Sequence, residues 1–300
     1  MCADPKSQVP PIFALLTDFG TKDHYVAAMK GVLLSDCPNA QIVDVTHEVQ
    51  PQDVLEGAYL LDCVYPHLPP GTVCVAVVDP GVGSDRPGLV ARIAGRLVVA
   101  PDNGLVGYVW SRYGAEDAVC YHIDEAAFRR AGVSATFHGR DVFAPVAVRL
   151  ARQEPLSALG PAVPEPVLLP TQAPKRRGRA LVGQVVHVDR FGNAVSNITE
   201  DALTRWLRGL RAKRRDVCVI AGGAAIRGLR RFYAEVPAGE ALALIGSGGY
   251  LEVAVNGGSA AELLSLKRRD TLALHLPAPM ARRRPGGRAA SAPWSRLRWW

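Results

Sequence analysis

The 300-residue sequence has no C-x-x-C pair among its six cysteines (positions 2, 37, 63, 74, 120 and 218) and no apolar run near the roughly 18 residues of a membrane span. The first absence argues against a zinc site or a disulfide framework, and runs such as VCVAVV suit a cysteine acting as a small core residue. The second, with no basic segment ahead of a long apolar stretch in MCADPKSQVPPIFALLTDFG, predicts a protein with no signal peptide or membrane partner, in the cytoplasm. Familiar phosphate loops are missing too. GVGSDR lacks both the third glycine of a dinucleotide loop and the lysine of a P-loop, and GSGGY lacks the spacing of a nucleophile elbow. TDFG and HGRD occur in the reverse of the kinase order, without a glycine-rich loop or a V-A-I-K lysine before them.

Acidic residues are absent from 281–300 (ARRRPGGRAASAPWSRLRWW), which contains six of the 35 Lys and Arg residues. The remainder has 29 basic against 28 acidic residues, so the formal net charge of +7 belongs almost wholly to this tail. No nucleic-acid partner is expected of the folded part. The tail itself reads as a disordered basic extension from 278 to 300, with phosphate or membrane-surface binding as the rival use.

What is present is apolar: 48% of residues are hydrophobic, enough for a substantial core divided between two domains. IFALLTD, QIVDVTH and TVCVAVVD read as strands, and DHYVAAMKGVLLSDC and DVLEGAYLLDCVYPHL as helices between them, with Asp23 suited to the first N-cap. LVARI and RLVVA form a strand pair about Gly95, and APVAVRLARQ a closing helix. This predicts an α/β N-terminal domain (11–153) with a largely parallel sheet. Residues 154–179 are proline-rich, then basic, and read as a linker or wrapped arm. Short strands and glycine turns over 180–277 predict a smaller β-rich, barrel-like C-terminal domain.

Asp18 and Asp79 each end an apolar strand at a glycine-containing loop, where parallel sheets collect ligands, although one strand-end Asp more commonly caps a loop. VVDPGVGSDR returns Arg86 soon after Asp79. TFHGRDVFAP brings His138, Arg140 and Asp141 together in a segment with no helical or strand period, PDNGL is first a turn, and HVDRFGNAVSNI and IGSGGYLEVAVNGGSA place polar side chains about hairpin turns. None of these alone names a chemistry.

In order along about residues 12–275, TDFGTKDHYVAAMKG, VVDPGVGSDR, APDNGL, TFHGRDVFAP, DRFGNAVSNI and SGGYLEVAVNGGSA resemble the S-adenosyl-L-methionine (SAM) hydroxide adenosyltransferases. These SAM hydrolases are relatives of the fluorinase and chlorinase enzymes. The resemblance implies a homotrimer with SAM bound between the N-terminal domain of one subunit and the C-terminal domain of its neighbour, and hydrolysis to adenosine and L-methionine with neither metal nor cofactor. It assigns Asp79, Arg86 and His138 to the attacking water, Asp18 to the ribose hydroxyls, and Asp23 and Asp189 to the methionine ammonium. Ser247 falls to the carboxylate, and Phe191, Asn193 and Asn256 to the adenine. In the halogenating relatives a tyrosine replaces Asp79, Gly248 is an arginine and Val195 a tryptophan. Retention of the Asp-Arg-His set favours hydrolysis over halogenation, and a SAM or adenosine sensor without turnover is the alternative from another class.

Overall fold

The computed structural model describes residues 9–114, 117–124, 134 and 136–276, so the basic tail assigned to 278–300 lies outside the described residues. Strands β1 (Ile12–Thr17), β2 (Gln41–Thr46), β3 (Val73–Val77), β4 (Gly88–Ile93), β5 (Arg96–Pro101), β6 (Val119–Ile123) and β7 (Ala162–Val163) form a seven-stranded sheet in the order β2-β1-β3-β5-β4-β6-β7. The first four in that order are mutually parallel, and the rest join antiparallel. The β4–β5 turn is the one expected at Gly95, which takes φ 74°.

Helix α1 (Tyr25–Asp36) crosses from β1 to β2, and α2 (Val54–Val64) from β2 past β1 to β3, so the two cover opposite faces. That explains the unbroken apolar strands. Phe13, Leu15, Val73, Val75 and Val77 pack with Met29 and Leu33 of α1 and with α4 (Ala144–Ala151). The alternate residues Ala14, Leu16, Cys74 and Ala76 pack with Ala58 and Leu61 of α2 and with α3 (Gly107–Tyr113). Asp53 caps α2 by accepting from the Glu56 N–H at 3.1 Å. Asp23, however, does not cap α1: the N-cap is His24, with no side-chain cap bond.

The proline-rich arm is anchored. β7 pairs with β6, β8 (Lys175–Arg177) pairs with β9 (Ala180–Val188), and the Val167 N–H donates to Asp102 Oδ1 at 2.8 Å. Beyond it come β10 (Ala194–Thr199), β11 (Cys218–Ala221), β12 (Ala224–Arg227), β13 (Leu229–Arg230), β14 (Ala241–Ile245), β15 (Tyr250–Val255) and β16 (Thr271–His275). They and β9 follow the order β12-β11-β16-β9-β10-β15-β14-β13, and β12 returns to β14, so the sheet nearly closes as a barrel. Helix α5 (Glu200–Leu210), absent from the sequence reading, is capped by Thr199 and buries Leu203, Trp206 and Leu207 against this barrel. A short α6 (Ala260–Leu263) follows β15. No helix among the described residues is long and apolar enough to cross a membrane.

Buried polar contacts join the two lobes. The Tyr250 hydroxyl and Arg112 Nη1 donate to Asp62 Oδ2 at 2.7 and 2.8 Å, while His187 Nδ1 lies 2.7 Å from Glu56 Oε1 and Arg268 pairs with both Glu56 and Asp53.

Candidate active site

β1 is flanked by β2 on one side and β3 on the other, so the chain reverses its direction of winding between β1 and β3. This is the switch point at which crevices open beyond the carboxyl ends of parallel strands. Asp18 follows β1 and Asp79 follows β3, and both line one cavity of about 310 Å³ with Phe19, Tyr25, Phe137 and His138. The topology therefore turns two ordinary strand-end residues into neighbours. Burial pushes the Asp18 carboxyl above its usual value, with the Gln52 N–H opposing at 2.7 Å and the charge of Asp79 adding to the rise.

The stretch after β3 folds back on itself through two tight turns. Val82 N–H donates to Asp79 O at 3.3 Å, the Ser84 N–H and hydroxyl both donate to Gly81 O at 3.0 and 2.6 Å, and Gly83 takes φ 79°. A methyl on Gly81 would lie 3.3 Å from both Arg86 Cγ and Ser84 Oγ, tighter than most such contacts, so the turn suits a residue without a side chain. The turns bring Arg86 onto Asp79 in a two-pronged pair, Nε to Oδ1 at 2.9 Å and Nη2 to Oδ2 at 2.5 Å. Nη2 also meets His138 Nδ1 at 3.0 Å, and the guanidinium carbon lies 5.4 Å from the Phe143 ring centre. Asp79, Arg86 and His138 thus form one connected, nearly buried chain.

His138 opens a widened π turn over Gly139–Phe143, an irregularity that aims a side chain away from regular helix geometry. Arg140 and Asp141 pair with each other at 2.6 and 2.8 Å, and Asp141 accepts the Ser134 N–H, so these two hold the loop. PDNGL is likewise a brace: Asn103 Nδ2 donates to Val78 O directly beneath Asp79, and Asp102 accepts from the linker. Sequence reasoning missed His47. Its Nδ1 lies 2.9 Å from Thr17 Oγ1, its Nε2 3.0 Å from Asp44, and its carbonyl accepts the Gly20 N–H, which pins the loop carrying Asp18.

The other candidates collect elsewhere. Asp189, Phe191, Asn193, Ser247 and Asn256 line a second cavity of about 930 Å³ in the C-terminal lobe, with Tyr59, Phe232, Tyr233 and Glu252. Asp189 Oδ1 accepts the N–H groups of Phe191 and Asn193, and Oδ2 accepts Asn193 Nδ2, so its hydrogen bonds shape the turn. Asn256 Nδ2 donates to Val236 O at 2.7 Å, Phe191 is 76% exposed, and the Ser247 loop is held by Arg112 on Gly248 O at 3.0 Å. A Cβ at Gly248 would lie 2.7 Å from Cys63 Sγ, so a larger side chain there requires Cys63 to move. Asp23 is exposed in the turn before α1 and lines neither cavity. Among the described residues no group of three or more His, Cys, Asp or Glu is placed to hold a metal ion. Glu252 and Tyr233 were also missed, although a glutamate inside the apolar strand YLEVAV was a visible signal.

Comparison with known proteins gives a consistent result. Residues 13–160 match the model of the SAM hydroxide adenosyltransferase N-terminal domain, and residues 183–273 that of the C-terminal domain. The chain is 41% identical over 265 residues to the (R)-S-adenosyl-L-methionine hydrolase of Salinispora arenicola, covering 87% of this chain and 97% of that one. It is 39% identical to the enzyme of the same name from Thermus thermophilus, over 86% and 96% of the two chains. Proteins named fluorinase match at 29% to 32% identity. A crystal structure of an uncharacterized conserved protein from Thermotoga maritima superposes with a TM-score of 0.77 at 36% identity, covering 88% of this chain and 99% of that one.

Proposed function

The chain belongs to the SAM hydroxide adenosyltransferase family, and from that premise we propose that it hydrolyses SAM to adenosine and L-methionine, with Asp79, Arg86 and His138 handling the attacking water. The observation that carries this reading is the Arg86 guanidinium bridging Asp79 and His138 beside the switch-point cavity.

Water attacks the ribose C5′, and the C5′–S bond breaks with its electron pair passing to sulfur. Methionine leaves as a neutral thioether, so no acid is required. The protein has to align one water, remove its bulk hydration and take its proton. A guanidinium only donates, so the Nη2–H facing His138 makes Nδ1 an acceptor and puts the ring proton on Nε2. His138 is then a donor through Nε2, and Asp79 is the group that receives the proton. Bond formation at C5′ turns the water into a strongly acidic protonated alcohol, for which a carboxylate is a sufficient base. The same carboxylate repels a halide, which favours water as the nucleophile over the anions used by the halogenating relatives. No metal or cofactor enters this scheme.

The N-terminal cavity holds Asp18, Asp79 and His138, and the C-terminal cavity holds Asp189, Phe191, Asn193, Ser247 and Asn256. Neither of these two cavities is lined by both groups, which supports a site that closes between neighbouring subunits, as in the homotrimer the family resemblance implies. Light scattering should return three chains per particle; a fully active monomer would sink that assembly. The five described cysteines are free thiols.

The test is incubation with SAM in chloride-free buffer, with chromatography of the products beside an Asp79→Ala control. Adenosine and methionine that depend on Asp79 support the hydrolase. Bound SAM without products leaves a sensor, and a 5′-halo-5′-deoxyadenosine on adding chloride or fluoride makes it a halogenase.

A further inference from the structure

The near balance of charge outside the tail is a sum of unlike parts. Residues 1–174 hold 12 Lys and Arg against 19 Asp and Glu, whereas residues 175–231 hold 14 against four. The fold gathers much of that excess on one face. Lys175, Arg176 and Arg177 form the short exposed strand β8, and Arg179 sits in the turn into β9. Arg205 and Arg208, three apart on α5, point outward while Leu203, Trp206 and Leu207 face the barrel. The two segments touch: Arg176 Nη1 lies 3.8 Å from where a Cβ on Gly209 would stand, and Pro174 and Arg205 line one cavity. Arg211 and Lys213 continue the row past the end of the helix. Arg214 and Arg215 just beyond are paired, with Glu200 and Asp216, but none of these eight cations forms an ion pair among the described residues.

Eight unpaired cations repel one another, a cost that an anionic partner removes. The substrate proposed above is not that partner, because SAM itself carries a net positive charge. The surface also offers little besides charge. Across 175–179 and 205–213 (KRRGR and RWLRGLRAK) there is no acid, hydroxyl or amide side chain, and the one aromatic, Trp206, is 4% exposed. Without exposed rings it has nothing on which unpaired bases could stack, and without hydroxyls or amides it is poorly suited to a ribose 2′-hydroxyl. Without an exposed apolar side chain it has nothing to insert into a bilayer. Six of the eight cations are arginines, whose planar fork matches phosphate oxygens. We propose that this face of the C-terminal lobe binds double-stranded DNA through its phosphates, without sequence preference, as a function separate from the chemistry at the N-terminal cavity.

Fluorescence anisotropy of a labelled DNA duplex of about 20 base pairs, titrated with the full-length protein between about 50 and 200 mM salt, tests this. The wild type should bind unrelated sequences equally, with a Kd of about 1–100 μM near physiological salt, and the logarithm of the affinity should fall linearly with that of the salt concentration. Replacing three cations together, Arg176→Ala, Arg205→Ala and Arg208→Ala, should weaken binding at least about tenfold. It should also make the slope shallower by about three, one phosphate contact for each arginine removed, with melting temperature and adenosine formation unchanged. Arg176→Lys, Arg205→Lys and Arg208→Lys together should keep the wild-type slope, which separates lost charge from lost folding. A wild type that binds no duplex at the lowest salt overturns the proposal. So does an alanine variant with the wild-type slope, because the six arginines of 281–300 would then carry the binding. Tighter binding of duplex RNA, or of phosphatidylserine vesicles, than of the DNA names a different partner and overturns it as well. A change of particle mass in the alanine variant overturns it by showing that these cations hold subunits together. Patch-dependent DNA binding in a protein that leaves SAM uncleaved supports this inference and removes the hydrolase reading alone.

Discussion

Replacing Arg86 with lysine keeps the charge and removes the geometry. Arg86 makes three polar contacts from one rigid plane: Nε to Asp79 Oδ1 at 2.9 Å, and Nη2 to Asp79 Oδ2 at 2.5 Å and to His138 Nδ1 at 3.0 Å. A lysine ammonium is a single point on a flexible stem and cannot span both Asp79 oxygens and the imidazole. One charged contact survives and about two are lost or stretched. At about 1.5–3 kcal/mol for a hydrogen bond to a charged group, less what the retained charge recovers, the loss is about 2–4 kcal/mol. If it falls on alignment of the water it lowers kcat by about 30- to 1000-fold, and the KM for SAM moves little, because in the proposed mechanism these groups serve water and not the substrate's binding contacts. Steady-state kinetics by chromatography, with thermal melting as the control for folding, decide it. A well-folded Arg86→Lys enzyme with kcat within about threefold of wild type refutes the role given to the fork, and one altered only in KM moves Arg86 to substrate binding.

Three further expectations follow from buried charges. Since burial raises the Asp18 carboxyl above the ordinary 3.8, its ionised form is lost at a higher pH than for a free aspartate, and if Asp18 accepts the ribose hydroxyls, as the resemblance implies, kcat/KM should fall as pH drops through that raised value; Asp18→Asn should flatten this limb and raise KM, and an unchanged acid limb in the variant refutes the assignment. Asp62→Ala should cost about 2–4 kcal/mol in urea unfolding, because it strands the buried Tyr250 hydroxyl and frees Arg112 at the seam between the lobes; a loss under about 0.5 kcal/mol would show the seam to be held elsewhere. Burial alone would raise Glu56, but the bonds from His187 and the Gln50 N–H, with the Arg268 charge, outweigh it and lower the carboxyl below the ordinary 4.5. Its contribution is therefore present above that value and lost as pH falls through the folded pKa, so the melting-temperature gap between wild type and Glu56→Gln should be open near neutrality and close in acid, and a pH-independent gap refutes it.

Much of the fold was legible because secondary-structure period and burial act locally. The alternation of β1 and β3 between two covered faces is the reason their runs are apolar throughout, and that same property marks them as parallel strands in the sequence. Helix α5 carried legible signals, a Thr199 cap, an acidic first turn and an apolar stripe at Leu203, Trp206 and Leu207, but its overall polar composition hides it among the loops of a β-rich segment. The cap at His24 in place of Asp23 reflects a turn whose geometry the residue type alone cannot report.

At the site the division is sharper. Residue order alone shows that Asp79 ends a buried strand, that a glycine-bearing turn follows, and that Arg86 comes back within a few residues, since a turn is a short-range object. It also marked His138 as lying in an irregular loop. That Asp18 and Asp79 share a crevice, that Arg86 reaches His138, and that Asp189 is engaged by its own turn are consequences of the three-dimensional fold. Those outcomes depend on which strands lie side by side and on which hydrogen bonds each side chain completes, and residues brought together across 52 positions of chain carry no local trace of their pairing.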